Sequence, residues 1–390
     1  MKIRILQHDL YGEGGGVLTV SLGLSEELAR RGHEVELVSI RRPRAPSVHR
    51  LPTNVAVTSL TRTIPAHLRN GRRTWLRRWL MRQPSRIMPK REPRYDHYSL
   101  YTDLVLARYL WSVRDGAVIS MQPGLNVALA RLGRKRYVRV AQDHRPYVSR
   151  AGGIIRAYQR YAARLDAFLV LTEQDTRRYN EVLGHDVTVR TMTNSTPEYT
   201  GELSDQQHKV VVAAGRLSRS KGFDLLVDAW SQVAARHPDW QLRIYGEGSR
   251  RPDLEEQIRR LELQSSVRLM GFSTQLQAEM AASSVFVLSS RVEGYGMVLV
   301  EAMSCGVPVV SFDCPTGPRD IITHEVDGLL VPHRDVDGMA EAIIRMIELG
   351  PEGRLKLGAA ARESAQQRSP SVVVTRWEEL LEGLLAGKAR

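Results

Sequence analysis

Only two cysteines, Cys305 and Cys314, stand in the whole 390-residue chain. A single pair in a Gly- and Pro-rich stretch suits neither a disulfide framework nor a zinc cluster, so both are expected to be free thiols in a reducing compartment. Long apolar runs are also missing: nothing approaches the roughly 18 uncharged residues of a membrane span. The opening Lys2-Ile3-Arg4-Ile5-Leu6 reads as a strand without the apolar core of a signal peptide. These absences place the protein in the cytoplasm. No acidic triplet or Asp-x-Asp stands at a strand end to hold a metal, and there is no fixed-period repeat.

Acid is scarce too, but only in one half. Residues 1–200 hold 34 Lys and Arg against 17 Asp and Glu, whereas residues 201–390 hold 22 against 26. A positive surface of this kind selects anionic partners: nucleic acid, an anionic membrane leaflet or a phosphorylated acceptor. Nucleic acid is the weakest of the three, because no zinc pattern, RNP motif or interleaved basic and aromatic β-surface accompanies the charge. The excess peaks from Arg62 to Arg94, with eleven Lys and Arg and one acid, Glu92. There Trp75, Leu76, Trp79 and Leu80 recur at helical spacing among Arg72, Arg73, Arg77, Arg78 and Arg82. That pattern suits a helix lying in a membrane interface, or a short helix whose tryptophans pack on the domain while its arginines are solvated.

What is present is alternation. Apolar strands at 2–7, 34–40, 117–120, 136–141 and 167–171, and again at 209–214, 241–245, 267–270, 285–288 and 309–312, are interleaved with amphipathic helices and Gly-rich loops. Strands each followed by a loop and a helix specify doubly wound parallel sheets with ligand loops along one edge. The length allows two or three domains, and the polar stretch 194–208, with Pro197 and Gly201, reads as a linker. We therefore expect an α/β protein with two Rossmann-like domains, 1–195 and 196–370, facing a central cleft, the last helix (372–385) joining the first domain.

Four motifs lie at strand ends. Gly12-Glu13-Gly14-Gly15-Gly16 follows the first strand; it is not a GxGxxG, and a plain tight turn explains it nearly as well. Gln142-Asp143-His144 leaves another strand of the first domain. Gly215-Arg216-Leu217-Ser218-Arg219-Ser220-Lys221-Gly222 follows the first strand of the second domain, and offers a planar fork and a compact positive point suited to a diphosphate. Residues 289–308 join a buried strand to a helix beginning at Met297, with Glu293 in the junction and Glu301 about two turns on. Alone, those carboxylates are a first-turn acid and a solvated helix residue as readily as a ligand shelf.

Together the Gly215 to Gly222 loop, the Glu293 and Glu301 pair, and Gly15-Gly16 with the helix ending Gly32-His33-Glu34-Val35 resemble family 4 of the retaining glycosyltransferases. The resemblance spans nearly the whole chain, except the middle of the first domain. It implies the GT-B architecture and transfer of a sugar from a nucleotide diphosphate sugar, foremost a UDP-sugar, with retention and without a cofactor or required metal. Carried onto this sequence, Arg216 and Lys221 would hold the diphosphate, Glu301 the ribose hydroxyls, and Glu293 and His144 would contact the sugar. Backbone amides at Gly294, Tyr295, Gly296, Met297 and Val298 would bind sugar and phosphate. Gly15 and Gly16 would let the first domain close over the donor, while Gly215, Gly246, Gly248 and Phe272 would line the nucleotide. The loop Asp313-Cys314-Pro315-Thr316-Gly317-Pro318-Arg319-Asp320 resembles members that assemble surface polysaccharides, glycolipids or lipid-linked oligosaccharides. The expected partners are therefore a nucleotide sugar, a carbohydrate, glycolipid or small-molecule acceptor and an anionic membrane surface reached through Arg62 to Arg94. A peripheral place on the inner face of the membrane follows. Glycosylation of a soluble natural product is the alternative; a sugar-nucleotide epimerase shares the two-domain plan, and a nucleic-acid binder would explain the basic half.

Overall fold

The computed structural model describes residues 1–11, 16–42, 50–62, 72–92 and 94–389. They form two compact units, one comprising Met1–Ser195 and Val373–Arg390, the other Thr196–Val372. Each is a parallel sheet wrapped by helices, the α/β arrangement expected from the alternation of patterns.

The first sheet contains β1 (Lys2–Asp9), β2 (Glu34–Arg42), β3 (Ala56–Arg62), β4 (Ala117–Ser120), β5 (Val138–Asp143), β6 (Ala167–Val170) and β7 (Val189–Thr191). Their order is β3-β2-β1-β4-β5-β6-β7, every pair parallel. The order reverses between β1 and β4, which opens a crevice at their carboxyl ends. Strand β3 lies within residues whose pattern reads as loose: its Thr and Ser positions break the apolar run because it is an edge strand, partnered on one side only. Strand β5 runs through Asp143 rather than ending at Ala141.

Helices α1 (Gly16–Arg30), α2 (Arg72–Arg82), α3 (Leu100–Ser112), α4 (Pro123–Leu132), α5 (Gly152–Tyr161) and α6 (Glu173–Leu183) cover this sheet. The stripe Leu18, Leu22, Leu24 and Leu28 of α1 is buried, as its spacing implies. Two helix starts show their local cause: Ser99 and Thr102 form a capping box on α3, and the Thr172 hydroxyl accepts from the Asp175 N–H on α6.

The second sheet comprises β8 (Val210–Ala214), β9 (Gln241–Tyr245), β10 (Val267–Gly271), β11 (Val285–Leu288), β12 (Val309–Phe312) and β13 (Gly328–Val331). It too is parallel, in the order β10-β9-β8-β11-β12-β13, with its reversal between β8 and β11. Helices α7 (Phe223–Arg236), α8 (Arg251–Arg260), α9 (Leu276–Ala281), α10 (Met297–Ser304), α11 (Pro318–Ile321), α12 (Val336–Glu348) and α13 (Gly350–Gln366) surround it. The short α11 lies in the Asp313 to Asp320 stretch that reads as an irregular loop. The polar stretch 194–208 has no helix or strand, but it is held down: Ser204 N–H donates to Cys305 O and Ser204 Oγ to Ser283 O, while Arg354 donates to Gln206 O.

The last helix, α14 (Pro370–Ala389), enters the core of the first unit. Val373, Val374, Trp377, Leu380 and Leu381 are buried with Ile3, Ile5, Leu24 and Val140. At its surface Glu378 meets Arg31 Nη1 and His33 Nε2, both at 2.7 Å. His33 of the Gly32-His33-Glu34-Val35 motif therefore ties α14 down.

Candidate functional site

In the second unit the reversal point sets two loops side by side, because β8 and β11 are neighbours. The loop after β8 carries Gly215, Arg216 and Lys221; the loop after β11 carries Ser289 to Gly296. They are stitched by backbone and side chain. Arg291 N–H donates to Ser220 O at 2.7 Å, Ser289 Oγ to Lys221 O at 3.0 Å, and the Arg291 guanidinium holds Asp224 through two 2.6 Å bonds. Gly222 has φ of +65° and a Cβ there would strike the Ser289 carbonyl, so the approach of the two loops requires glycine. Gly246, at φ of +135°, likewise leaves no room for a Cβ against Gly215 O.

This stitching brings Lys221 onto Glu293 and within electrostatic reach of Glu301. Its Nζ donates to Glu293 Oε1 at 2.5 Å, an oxygen that also accepts from Ser290 Oγ at 2.5 Å. The Glu293 carbonyl in turn accepts from Thr316 Oγ1 at 2.8 Å, so the acid is fixed at both ends. Burial pushes the Glu301 carboxyl above its usual range, and the Lys221 charge opposes that shift. The Glu301 carboxylate has no hydrogen-bond donor among the described residues; Ser304 and Cys305 bond to its backbone carbonyl instead. Arg216 is exposed, and its guanidinium has no ion pair or hydrogen bond among the described residues. One cation is thus compensated and one is bare.

The start of α10 adds donors. Gly296 at φ of +99° is its N-cap and no side chain caps it. The N–H groups of Gly294, Gly296, Met297 and Val298 have no partner among the described residues, and such a first turn favours an anion. The Tyr295 side chain points away: it is buried, and Arg368 Nε donates to its hydroxyl at 2.7 Å. Gly248 packs under the Leu217 carbonyl, and Phe272, at the end of β10, is 74% exposed. Cys305 and Cys314 are free and buried, and burial raises both thiols to about 12.

His144 and Gly16 belong to the first unit; Gly15 lies outside the described residues. Gly16 opens α1 with nothing within 4 Å of a Cβ. His144 follows β5, is buried, and has no partner for either ring nitrogen among the described residues. Burial lowers it to about 4, so the ring is neutral at physiological pH. Elsewhere the first unit holds polar groups whose sequence pattern does not stand out. His8, at the carboxyl end of β1, receives or gives a 3.1 Å bond to His97 and is lowered to about 3, first by burial and then by Arg94. Buried Gln7 Nε2, His8 Nδ1, Glu92 Oε2 and Gln142 Oε1 lack partners among the described residues. Of these, His8, Gln7 and Gln142 stand on β1 and β5, at the strand ends where an open α/β sheet binds ligands; that rule alone would have found them.

Residues 208–349 match the family model of glycosyl transferases group 1. That match lies within the second unit. Among curated relatives, an exopolysaccharide phosphotransferase of Streptomyces coelicolor is 33% identical over 382 residues, covering 96% of this chain and 40% of that protein. An uncharacterized glycosyltransferase of Haemophilus influenzae is 23% identical over 372 residues, covering 95% of this chain and 97% of that one. The chain therefore spans less than half of the first relative's length and nearly all of the second's. In fold it is similar to sucrose-phosphate synthase from Thermosynechococcus elongatus, with TM-score 0.77, 19% identity and 99% of both chains covered. TarM gives TM-score 0.76 at 17% identity, covering 97% of this chain and 98% of that one. These likenesses agree with the expected GT-B fold of two Rossmann-like domains.

Proposed function

We propose that the chain is a retaining glycosyltransferase of family 4, which moves a sugar from a nucleotide diphosphate sugar, foremost a UDP-sugar, to a hydroxyl of a cell-surface polysaccharide, glycolipid or lipid-linked glycan. The observation that carries the reading is Lys221, held at the β8 and β11 reversal point, bonded to Glu293 and within electrostatic reach of Glu301. Departure of a nucleotide diphosphate builds negative charge, and preorganised cations and amides lower that barrier most. In this reading Arg216, Lys221 and the amides of Gly294, Gly296, Met297 and Val298 receive the diphosphate without a metal, and Glu301 accepts hydrogen bonds from the ribose. Glu293, pinned by Lys221 and Ser290, faces the sugar. The acceptor hydroxyl attacks from the same face and its proton passes to the departing phosphate oxygen. Neutral His144 and the unpartnered groups on β1 and β5 are the groups of the first unit suited to hydrogen-bond a sugar.

Proteins of similar fold support the donor: a TarM structure contains Fondaparinux, alpha-GlcNAc-glycerol and UDP, and a HepE structure contains UDP and glucose. The acceptor class is supported by relatives named for amylovoran biosynthesis and for transfer to poly(ribitol-phosphate). A peripheral membrane position is supported by α2, where Trp75 is 68% and Trp79 45% exposed; no helix among the described residues is long and apolar enough to cross a membrane.

A panel of nucleotide sugars tests the reading through donor hydrolysis and thermal stabilisation. A donor at 100 times its dissociation constant adds about 2.7 kcal/mol of stability. If no nucleotide sugar gives either response the reading fails, and an epimeric nucleotide sugar formed without any acceptor would make the chain an epimerase instead.

A further inference from the structure

The first unit contains a second place built for an anion, between its helices. A cleft of about 370 Å³ opens between residues 87–91, α4 and α5. Lys90, Arg91, Arg131 and Arg156 line it, and no carboxylate does. Its remaining wall is apolar and includes Met88, Val127 and the ring of Tyr161.

Four like charges around one small space repel, and the chain does little to relieve them. Lys90, Arg91 and Arg156 are exposed and form no ion pair or side-chain hydrogen bond among the described residues. Arg131 is the exception, and its partners orient it without neutralising it. Its Nη1 donates to Arg86 O at 3.0 Å and Ile87 O at 2.9 Å, and the guanidinium lies 5.1 Å from the Tyr161 ring centre. Asp103 faces Arg131 electrostatically, but its carboxylate is already engaged by Ser85 Oγ and the N–H groups of Arg86 and Ile87. Arg160 and Arg164 approach the same Tyr161 ring and add to the positive field. Gly153 also lines the cleft, in the first turn of α5, which no side chain caps.

Guanidinium forks and a lysine point charge recognise tetrahedral phosphate oxygens, and the volume admits a diphosphate or a phosphate ester with a small organic group. We propose that this cleft binds a phosphate-bearing ligand, a phosphomonoester or a diphosphate, at a site separate from the Lys221 loops. It does not depend on the glycosyltransferase reading.

The test needs a local signal, because inorganic diphosphate is also expected at Lys221. In the full chain labelled with fluorotyrosine, the Tyr161 fluorine resonance, assigned with Tyr161→Phe, should shift saturably as inorganic diphosphate is added. Lys90→Gln with Arg156→Gln, two exposed positions, should weaken that titration about tenfold or more, whereas Lys221→Ala should leave it in place. A resonance that stays still, or titrates identically in the double variant, overturns the proposal. Glycerol 3-phosphate producing the same shift assigns a soluble ester. A shift given only by phosphatidylglycerol vesicles, and lost in the double variant, assigns a lipid headgroup.

Discussion

The two reversal points share a topology and differ in how their polar groups are settled. Beside β8 and β11 the charges that join the loops are paired within the unit: Lys221 meets Glu293, Arg291 meets Asp224, and glycines let the loops touch, while Arg216 has no partner among the described residues. Beside β1, β4 and β5, the buried groups His8, Gln7, Gln142 and His144 keep atoms without partners among the described residues, and the basic residues of the same unit outnumber its acids. Buried polar atoms are ordinarily paired, so the contrast teaches that one point is preset by its own contacts while the other is left to be completed by what it binds.

Four outcomes would sharpen or break that contrast. The largest concerns what holds the first point in place. Trp377→Ala removes a fully buried indole from α14 and should cost about 3–5 kcal/mol. Native-state hydrogen exchange should show β1 and β5 losing protection while β8 and β11 keep theirs; equal losses in both sheets would deny the units separate cores.

Next is the preset point itself. Lys221→Ala should lower turnover with the active nucleotide sugar about 10²–10³-fold, the effect of removing one preorganised charge-stabilising donor. Glu293→Gln should reduce kcat with a smaller change in KM; full turnover in that variant would remove Glu293 from the reaction.

A smaller effect is structural. Gly222→Ala places a Cβ against the Ser289 carbonyl at positive φ and should destabilise the second unit by about 1–3 kcal/mol, measured by urea unfolding. A neutral result would mean that the two loops need not touch.

The last concerns pH. His8 and His144 fold with values of about 3 and about 4 against an ordinary 6.5. Between those values and 6.5 the unfolded chain binds more protons, so stability should rise with pH by up to about 1.4 kcal/mol per unit for each histidine. His144→Asn should flatten the curve between about pH 4 and 6.5; an unchanged slope would mean that His144 is protonated in the fold.

Much of this was legible before any fold was known. The strands 285–288 and 309–312 and the helices beginning at Phe223 and Met297 have the bounds their patterns predict, because fully buried parallel strands are continuous apolar runs flanked by glycine. The edge strand β3 escaped because half of its residues are Thr, Ser and Arg. Helix α4 escaped because its apolar run opens with Pro123-Gly124. Of the site, Gly215 to Gly222 and the glutamates stood out because glycine and charge share a junction, whereas His8 and Glu92 are single polar residues with no local pattern.

The sequence by itself determined the alternation, the two sheets, the basic first half and the residue types at each strand end, since each follows from local periodicity and composition. Only the tertiary structure decided that Lys221 reaches Glu293 across 72 positions, that Tyr295 turns to Arg368, that Arg216 is left bare, and that the tryptophans of α2 face outward. Those outcomes depend on which strands become neighbours, and strand order is a property of long-range packing that no local pattern contains.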